Sequence, residues 1–340
     1  MKSPAWPLLI VCSIALVGSA CLGQSALPAA LTDQEFWNLI EALSEPPGAF
    51  AVSENFVSNE PRLAENVRRV RAAGGVYIGV GPEQNFSYVA RIRPAMAFIV
   101  DIRRENLDLH LLYKGLFEVS IDRADFVSRL FSRPRPPGLH ATASVEEIFN
   151  RYEDVPPSAD LLSRNAALVR HQLMTVRKLP LTPSDLEWID RAFKAFYDDG
   201  PGIQFWGARS VDTETVQPSY RELMTSHDWT GQVRSFLASE GSFRFVQKMQ
   251  SRNLIVPIVG DFAGPGAIRR VGDYVRARGG VVQGFYGSNV GVYLNIQQTR
   301  AFCGNLASLP AARGAWFIER DAVKTLRKKL ESCPSATSPQ

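Results

Sequence analysis

Val76-Tyr77-Ile78-Gly79-Val80-Gly81-Pro82-Glu83-Gln84-Asn85-Phe86 is the stretch that decides the fold. Its first three residues read as a short buried strand, and Gly79-Val80-Gly81 as a tight loop leaving it. A helix is expected over residues 86–93, closed by Pro94, and a second buried strand over 96–100 that ends on Asp101. Strand, Gly-x-Gly loop, helix, strand and terminal acid make one βαβ unit, which requires a parallel sheet.

The same alternation returns near the C-terminus. Residues 254–259 read as a strand with Gly260-Asp261 at its tip, 267–277 as a helix, and 281–286 as a strand ending in Gly287-Ser288-Asn289. A short strand over 292–294, a helix over 298–306, a strand over 315–318 and a last helix capped by Asp321 complete the pattern. Between the two α/β blocks the sequence is helical. Residues 107–119 and 123–131 are followed by a break at Pro134, Pro136, Pro137 and Gly138, then by a helical run over 144–196 with Ser144 and Thr182 as caps. The only strand candidate there is 203–206. At the N-terminal side, Thr32-Asp33-Gln34-Glu35 is a capping box opening a helix to residue 43, and Pro61 starts another. The expected fold is α/β, a doubly wound, mostly parallel sheet in one domain over residues 22–340, with a helical insertion at about 120–200.

Composition narrows the class. The chain has 340 residues, 45% of them hydrophobic and 21% charged, with a formal net charge of +4. These values exclude disordered, collagen-like and multi-pass membrane proteins, and give no electrostatic footprint for nucleic acid. Residues 1–21 have the layout of a secretory signal: Lys2, an apolar run over 8–17, then Gly18-Ser19-Ala20. Cys21 after Ala20 resembles a bacterial lipoprotein processing site, with Gly18 where a large aliphatic residue is usual. Cleavage, lipidation of Cys21 and an uncleaved anchor all place the body outside the cytoplasm, in the periplasm or at a membrane surface. The membrane is involved only through that segment. Cys303 and Cys333 remain in the body, either as a disulfide or as two thiols. No CxxC, HExxH or Cys/His cluster is present, so no metal is expected.

The unusual polar residues fall at strand ends, where parallel sheets bind ligands. Gly79 and Gly81 allow close backbone approach, or simply close packing of strand on helix. Asp101, 20 residues past Gly81, is placed to accept hydrogen bonds from ribose hydroxyls, or to pair with Arg103 or Arg104. Glu83, Gln84 and Asn85 face a ligand or cap the helix. Asp261 lines the cleft or caps the helix after it, and Ser288 and Asn289 are a substrate contact or a turn. Asn55 and Ser58 cover the cleft or lie in a solvated loop. A pyrophosphate on this loop would meet Glu83, which favours a nucleoside without phosphates over a dinucleotide.

With those residues in hand, the chain resembles the Rossmann-like S-adenosylmethionine-dependent methyltransferase superfamily. Residues 76–101 look like its first two strands and glycine loop, and residues 254–261 like its fourth strand. The run from Tyr77 to Phe86 also resembles a group of uncharacterised bacterial proteins with this fold. The resemblance implies S-adenosylmethionine as cofactor and a small-molecule substrate. The departures are specific. Tyr77 stands where the family usually carries an acid, Glu83-Gln84-Asn85 replace the third glycine, and Phe262-Ala263-Gly264 follow Asp261 instead of the Pro-Pro-aromatic run of amino-methylating members. S-adenosylmethionine is a cytoplasmic metabolite, so signal and fold pull apart. The alternative is an exported, non-catalytic Rossmann-like binding or structural module, and catalysis is left open.

Overall fold

The computed structural model describes residues 26–50, 54–205 and 217–334. The signal segment with Cys21, part of the loop before Asn55, Trp206 and the C-terminal tail lie outside the described residues.

Six strands form one sheet: β1 (Val76–Gly79), β2 (Met96–Asp101), β3 (Ile255–Val259), β4 (Val282–Ser288), β5 (Ala311–Glu319) and β6 (Val323–Thr325). Their spatial order is β3-β2-β1-β4-β5-β6. All pairs are parallel except β5 with β6. Every residue of β1, β2 and β3 is buried, which is why these strands are unbroken apolar runs and not alternating ones. From β1 the chain moves outward to β2 and β3, then crosses back to β4 on the other side of β1. The order therefore reverses between β1 and β4, and right-handed crossovers put the connecting helices on opposite faces.

One face carries α3 (Gln84–Ile92), α4 (Arg104–Val119) and α10 (Glu240–Ser251), which pack on one another. Phe86 of α3 sits at the centre of their contact, with Tyr113, Phe117 and Phe236 at ring distances of 5.2–5.5 Å. The other face carries α1 (Asp33–Leu43), α11 (Ala267–Ala277) and α12 (Ile296–Ala307). There, Phe262, Phe285, Phe302 and Phe317 stack between sheet and helices. The helical insertion contains α5 (Arg123–Leu130), α6 (Val145–Glu153), α7 (Ala159–His171), α8 (Pro183–Asp199) and α9 (Tyr220–Thr225). Together with α4 and α10 it makes up the crossover from β2 to β3. Thr32, Ser144 and Thr182 cap α1, α6 and α8 as their sequence positions require.

Three local expectations change. Residues 290–293 form a 3₁₀ turn, not a strand, because they leave the sheet directly after β4. The 203–206 candidate reduces, among the described residues, to a single bridge from Gln204 to Ser219. Residues 321–325 turn back as a hairpin, so the last helix, α13 (Leu326–Glu331), starts at a Thr325 cap and not at Asp321. Cys303 on α12 is bonded to Cys333.

Candidate functional site

A cavity of about 250 Å³ opens at the carboxyl edge of the sheet, over the β1/β4 switch point. Gly81 and Gln84 line it from the loop after β1, Asp101 from the end of β2, Asp261 from the end of β3, and Ser288 and Asn289 from the end of β4. Asn55, Ser58 and Asn59 close it from the N-terminal side. Apolar walls come from Phe50, Val80, Ile102, Phe205 and Phe262. Eight of the eleven residues that the sequence places at the cleft thus surround one space, although they are spread from position 55 to position 289.

The other three stand behind it. Gly79, Glu83 and Asn85 are absent from the cavity wall and pack beneath the loop. Asn85 is completely buried. Its amide nitrogen donates to the carbonyl oxygens of Val80, Gly81 and Pro82 at 2.8–3.0 Å, and its Oδ1 accepts from the Tyr77 hydroxyl at 2.9 Å. One side chain therefore holds the whole bend from inside. Gly79 has to be glycine for that reason: a Cβ there would lie 2.0 Å from Asn85 Oδ1. Gly81 has a different requirement, a backbone φ of 76°. Its carbonyl accepts a second hydrogen bond from His110 Nε2 at 2.9 Å, so that nitrogen carries the proton. Burial lowers His110 to about 4, and the ring is neutral.

Glu83 is wholly buried, and both of its oxygens accept from the Ser58 backbone N–H at 3.2 Å. Burial raises it to about 8, so at neutral pH its carboxyl is mostly protonated. The loop thus presents no fixed anion of its own to a ligand.

Asp101 does reach the cavity. Its Oδ1 accepts from the Arg103 backbone N–H at 3.0 Å and from Arg103 Nε at 3.1 Å, and its Oδ2 accepts from Nη2 at 3.2 Å. A ribose hydroxyl would share this carboxylate with a guanidinium already bound to it. Asp261 turns its Oδ1 back to the Ala263 N–H at 2.8 Å, an Asx turn at the start of the 260–266 loop. That loop is filled by Glu45, whose carboxylate accepts from the N–H groups of Asp261, Gly266 and Ala267 at 3.1, 2.5 and 2.9 Å. The N-terminus of α11 is capped by a residue from the far end of the chain.

Sequence reasoning missed one more group. Glu60 is 1% exposed and lies directly behind the cavity wall. Its Oε1 accepts from the hydroxyls of Tyr286 and, at 2.7 Å, Ser288, and both donors line the cavity. Burial raises Glu60 to about 7, with both hydrogen bonds pulling the other way. The one local signal was its place in Asn59-Glu60-Pro61, beside the polar loop already noted. Its partners, more than 220 residues away, leave no trace in spacing. Three oxygens around the cavity have no partner among the described residues: Asn55 Oδ1, Ser58 Oγ and Gln84 Oε1.

No group of three His, Cys, Asp or Glu side chains poised for a metal occurs among the described residues. Nor is any helix among them long and apolar enough to cross a membrane. The sequence profile of a family described as a domain of unknown function, DUF7790, matches residues 55–179 and 183–329, and the chain belongs to that family. No curated protein matches the chain.

Proposed function

We propose that the chain is a methyltransferase-like protein whose cavity binds a nucleoside-type ligand such as S-adenosylmethionine. The observation that carries this reading is convergence: Gly81, Asp101, Asp261 and Ser288 end four different strands or loops and line one cavity at the switch point. A ribose would lie against Asp101 and a base against Phe262 and Ile102. If the protein is catalytic, methyl transfer needs mainly an aligned acceptor in a dry site, which the apolar walls supply. The body acts outside the cytoplasm, delivered by residues 1–21. The Cys303–Cys333 bond supports that location, since such bonds persist in oxidising compartments.

A second reading, an exported binding module without catalysis, is favoured by one contact. The Asp101 carboxylate is already paired with Arg103, which weakens it as a ribose acceptor.

Titration calorimetry on protein lacking residues 1–21, with S-adenosylmethionine, S-adenosylhomocysteine and adenosine, tests the ligand class. Binding is expected for all three, and Asp101→Asn should weaken it roughly tenfold, the loss of one charge-assisted hydrogen bond. No heat at millimolar ligand with the fold intact would remove the nucleoside reading. Mass spectrometry of the mature N-terminus tests export: a full-length cytoplasmic product would overturn it.

A further inference from the structure

The carboxyl end of β4 carries a hydroxyl that lines the same cavity and to which the nucleoside reading gives no chemical role. Ser288 is the last residue of the strand, set in Gly287-Ser288-Asn289-Val290-Gly291. Its φ is 46°, a left-handed backbone that a serine adopts only when its surroundings impose it. The register to β5 shifts between Tyr286 and Ser288, so the serine pairs with Glu319 across an irregularity at the end of the ladder. The hydroxyl lies at the cavity and donates to Glu60 Oε1 at 2.7 Å. Tyr286 donates to the same oxygen and in turn accepts from Gln84 Nε2 at 3.3 Å, so the carboxylate is held in place. Glu60 Oε2 has no partner among the described residues. A serine on a tight turn straight after a strand, with a buried base behind it, is the physical arrangement that makes a hydroxyl nucleophilic.

We propose that Ser288 is a nucleophile activated by Glu60, and that the cavity takes the acyl group of a small ester. The proposal goes beyond the nucleoside reading and does not depend on it. The Ser288 Oγ attacks the carbonyl carbon as its proton passes to Glu60 Oε1. The bond to the leaving alcohol breaks, and Glu60 returns the proton to the departing oxygen. Water then attacks the acyl-serine, with Glu60 taking a proton from the water and giving it back to Ser288. Phe50, Val80 and Phe262 form the apolar wall against which an acyl chain would lie. Asn289, beside Ser288 on the same wall, offers its amide oxygen to the Ser288 hydroxyl at 3.3 Å, a second and longer acceptor next to Glu60.

The pH dependence follows from the groups facing Glu60. Tyr286 and Ser288 reach it from β4, Arg320 and Asp321 act from the β5–β6 turn, Tyr77 faces it from β1, and the buried Glu83 and Tyr88 face it from the α3 side. Their balance with burial sets Glu60 at about 7, so the nucleophile gains its base as pH rises through neutrality.

The test treats the 340-residue chain with a fluorophosphonate, which replaces fluoride by Ser288 Oγ, and reads adducts by peptide mass spectrometry. A single adduct on Ser288 is expected, formed faster as pH rises from 6 to 8 and levelling above that. Ser288→Ala should give none. Glu60→Gln should slow labelling by about a hundredfold and flatten the pH profile. Should Glu60→Gln fail to fold, the pH profile of the unaltered chain still decides. Absence of an adduct at Ser288 in folded protein, a rate independent of pH, or equal labelling of a folded Glu60→Gln variant would each overturn the proposal.

Discussion

Two glycine-rich loops leave the same edge of the sheet, one after β1 and one after β3, and they are built on opposite plans. Residues 79–85 are held from within: Asn85, belonging to the loop's own helix, ties three successive carbonyls and leaves the outer surface to the cavity. Residues 260–266 are held from outside, by the Glu45 carboxylate reaching in from the N-terminal segment. The first loop satisfies its carbonyls and the second its N–H groups. Only the first keeps the N-terminal end of its helix free of a foreign carboxylate. The lesson is that glycine marks crowding as readily as it marks a ligand, and that the crowding atom must be identified before a glycine is given a role.

Substitutions can break this contrast in order of expected effect. Gly79→Ala should be the most damaging, because its Cβ would collide with Asn85 Oδ1 and with the Tyr77 hydroxyl 2.7 Å away, neither of which has room to yield. A loss of about 3 kcal/mol or more in urea unfolding is expected, in line with disruption of a buried hydrogen-bond network. Stability near that of the unaltered chain would mean that Asn85 does not brace the loop.

Next comes the buried carboxyl of the first loop. Glu83 is raised by burial to about 8 and Asp108, likewise buried, to about 8. A folded-state pKa above the unfolded one stabilises fully below the unfolded value and is lost as pH rises through the folded value. The protein should therefore be most stable in mild acid and lose stability progressively between about pH 4.5 and pH 8. Glu83→Gln should remove part of that slope and stabilise the fold at pH 9 by about 1 kcal/mol, read as a higher midpoint of thermal unfolding. A melting temperature that climbs from pH 5 to pH 9 would contradict both assignments.

The smallest effect belongs to the second loop. Glu45→Ala removes a helix cap and should cost about 1 kcal/mol. Gly264→Ala, whose Cβ would lie 2.6 Å from Glu45 Oε2 and 3.0 Å from the Asp261 carbonyl, should be tolerated better in the Glu45→Ala background than alone, since the nearer obstacle is then gone. Additive losses in a double-mutant cycle would show that the carboxylate does not fill that space.

Much of this was legible in the sequence because it is local. The β1–loop–α3–β2 unit, the caps at Thr32, Ser144 and Thr182, and the strand-end positions of Asp101, Asp261 and Ser288 depend on neighbours a few residues away. Glu45, Glu60 and the inward role of Asn85 were not legible. Each acts on partners that only the folded sheet brings near, as Glu60 does with Tyr286. The hairpin into β6 escaped for another reason: three half-buried residues at a sheet edge carry too little apolar pattern to stand out from the start of a helix.

The long crossover has a further consequence for how the chain is made. β2 ends at Asp101, and the strand beside it does not begin until Ile255. While residues 102–254 are being synthesised, one flank of β2 has no strand to pair with. At ordinary translation rates that interval lasts roughly ten to thirty seconds. The nascent chain must cross it with an apolar edge exposed, kept apart from other chains by whatever escorts it.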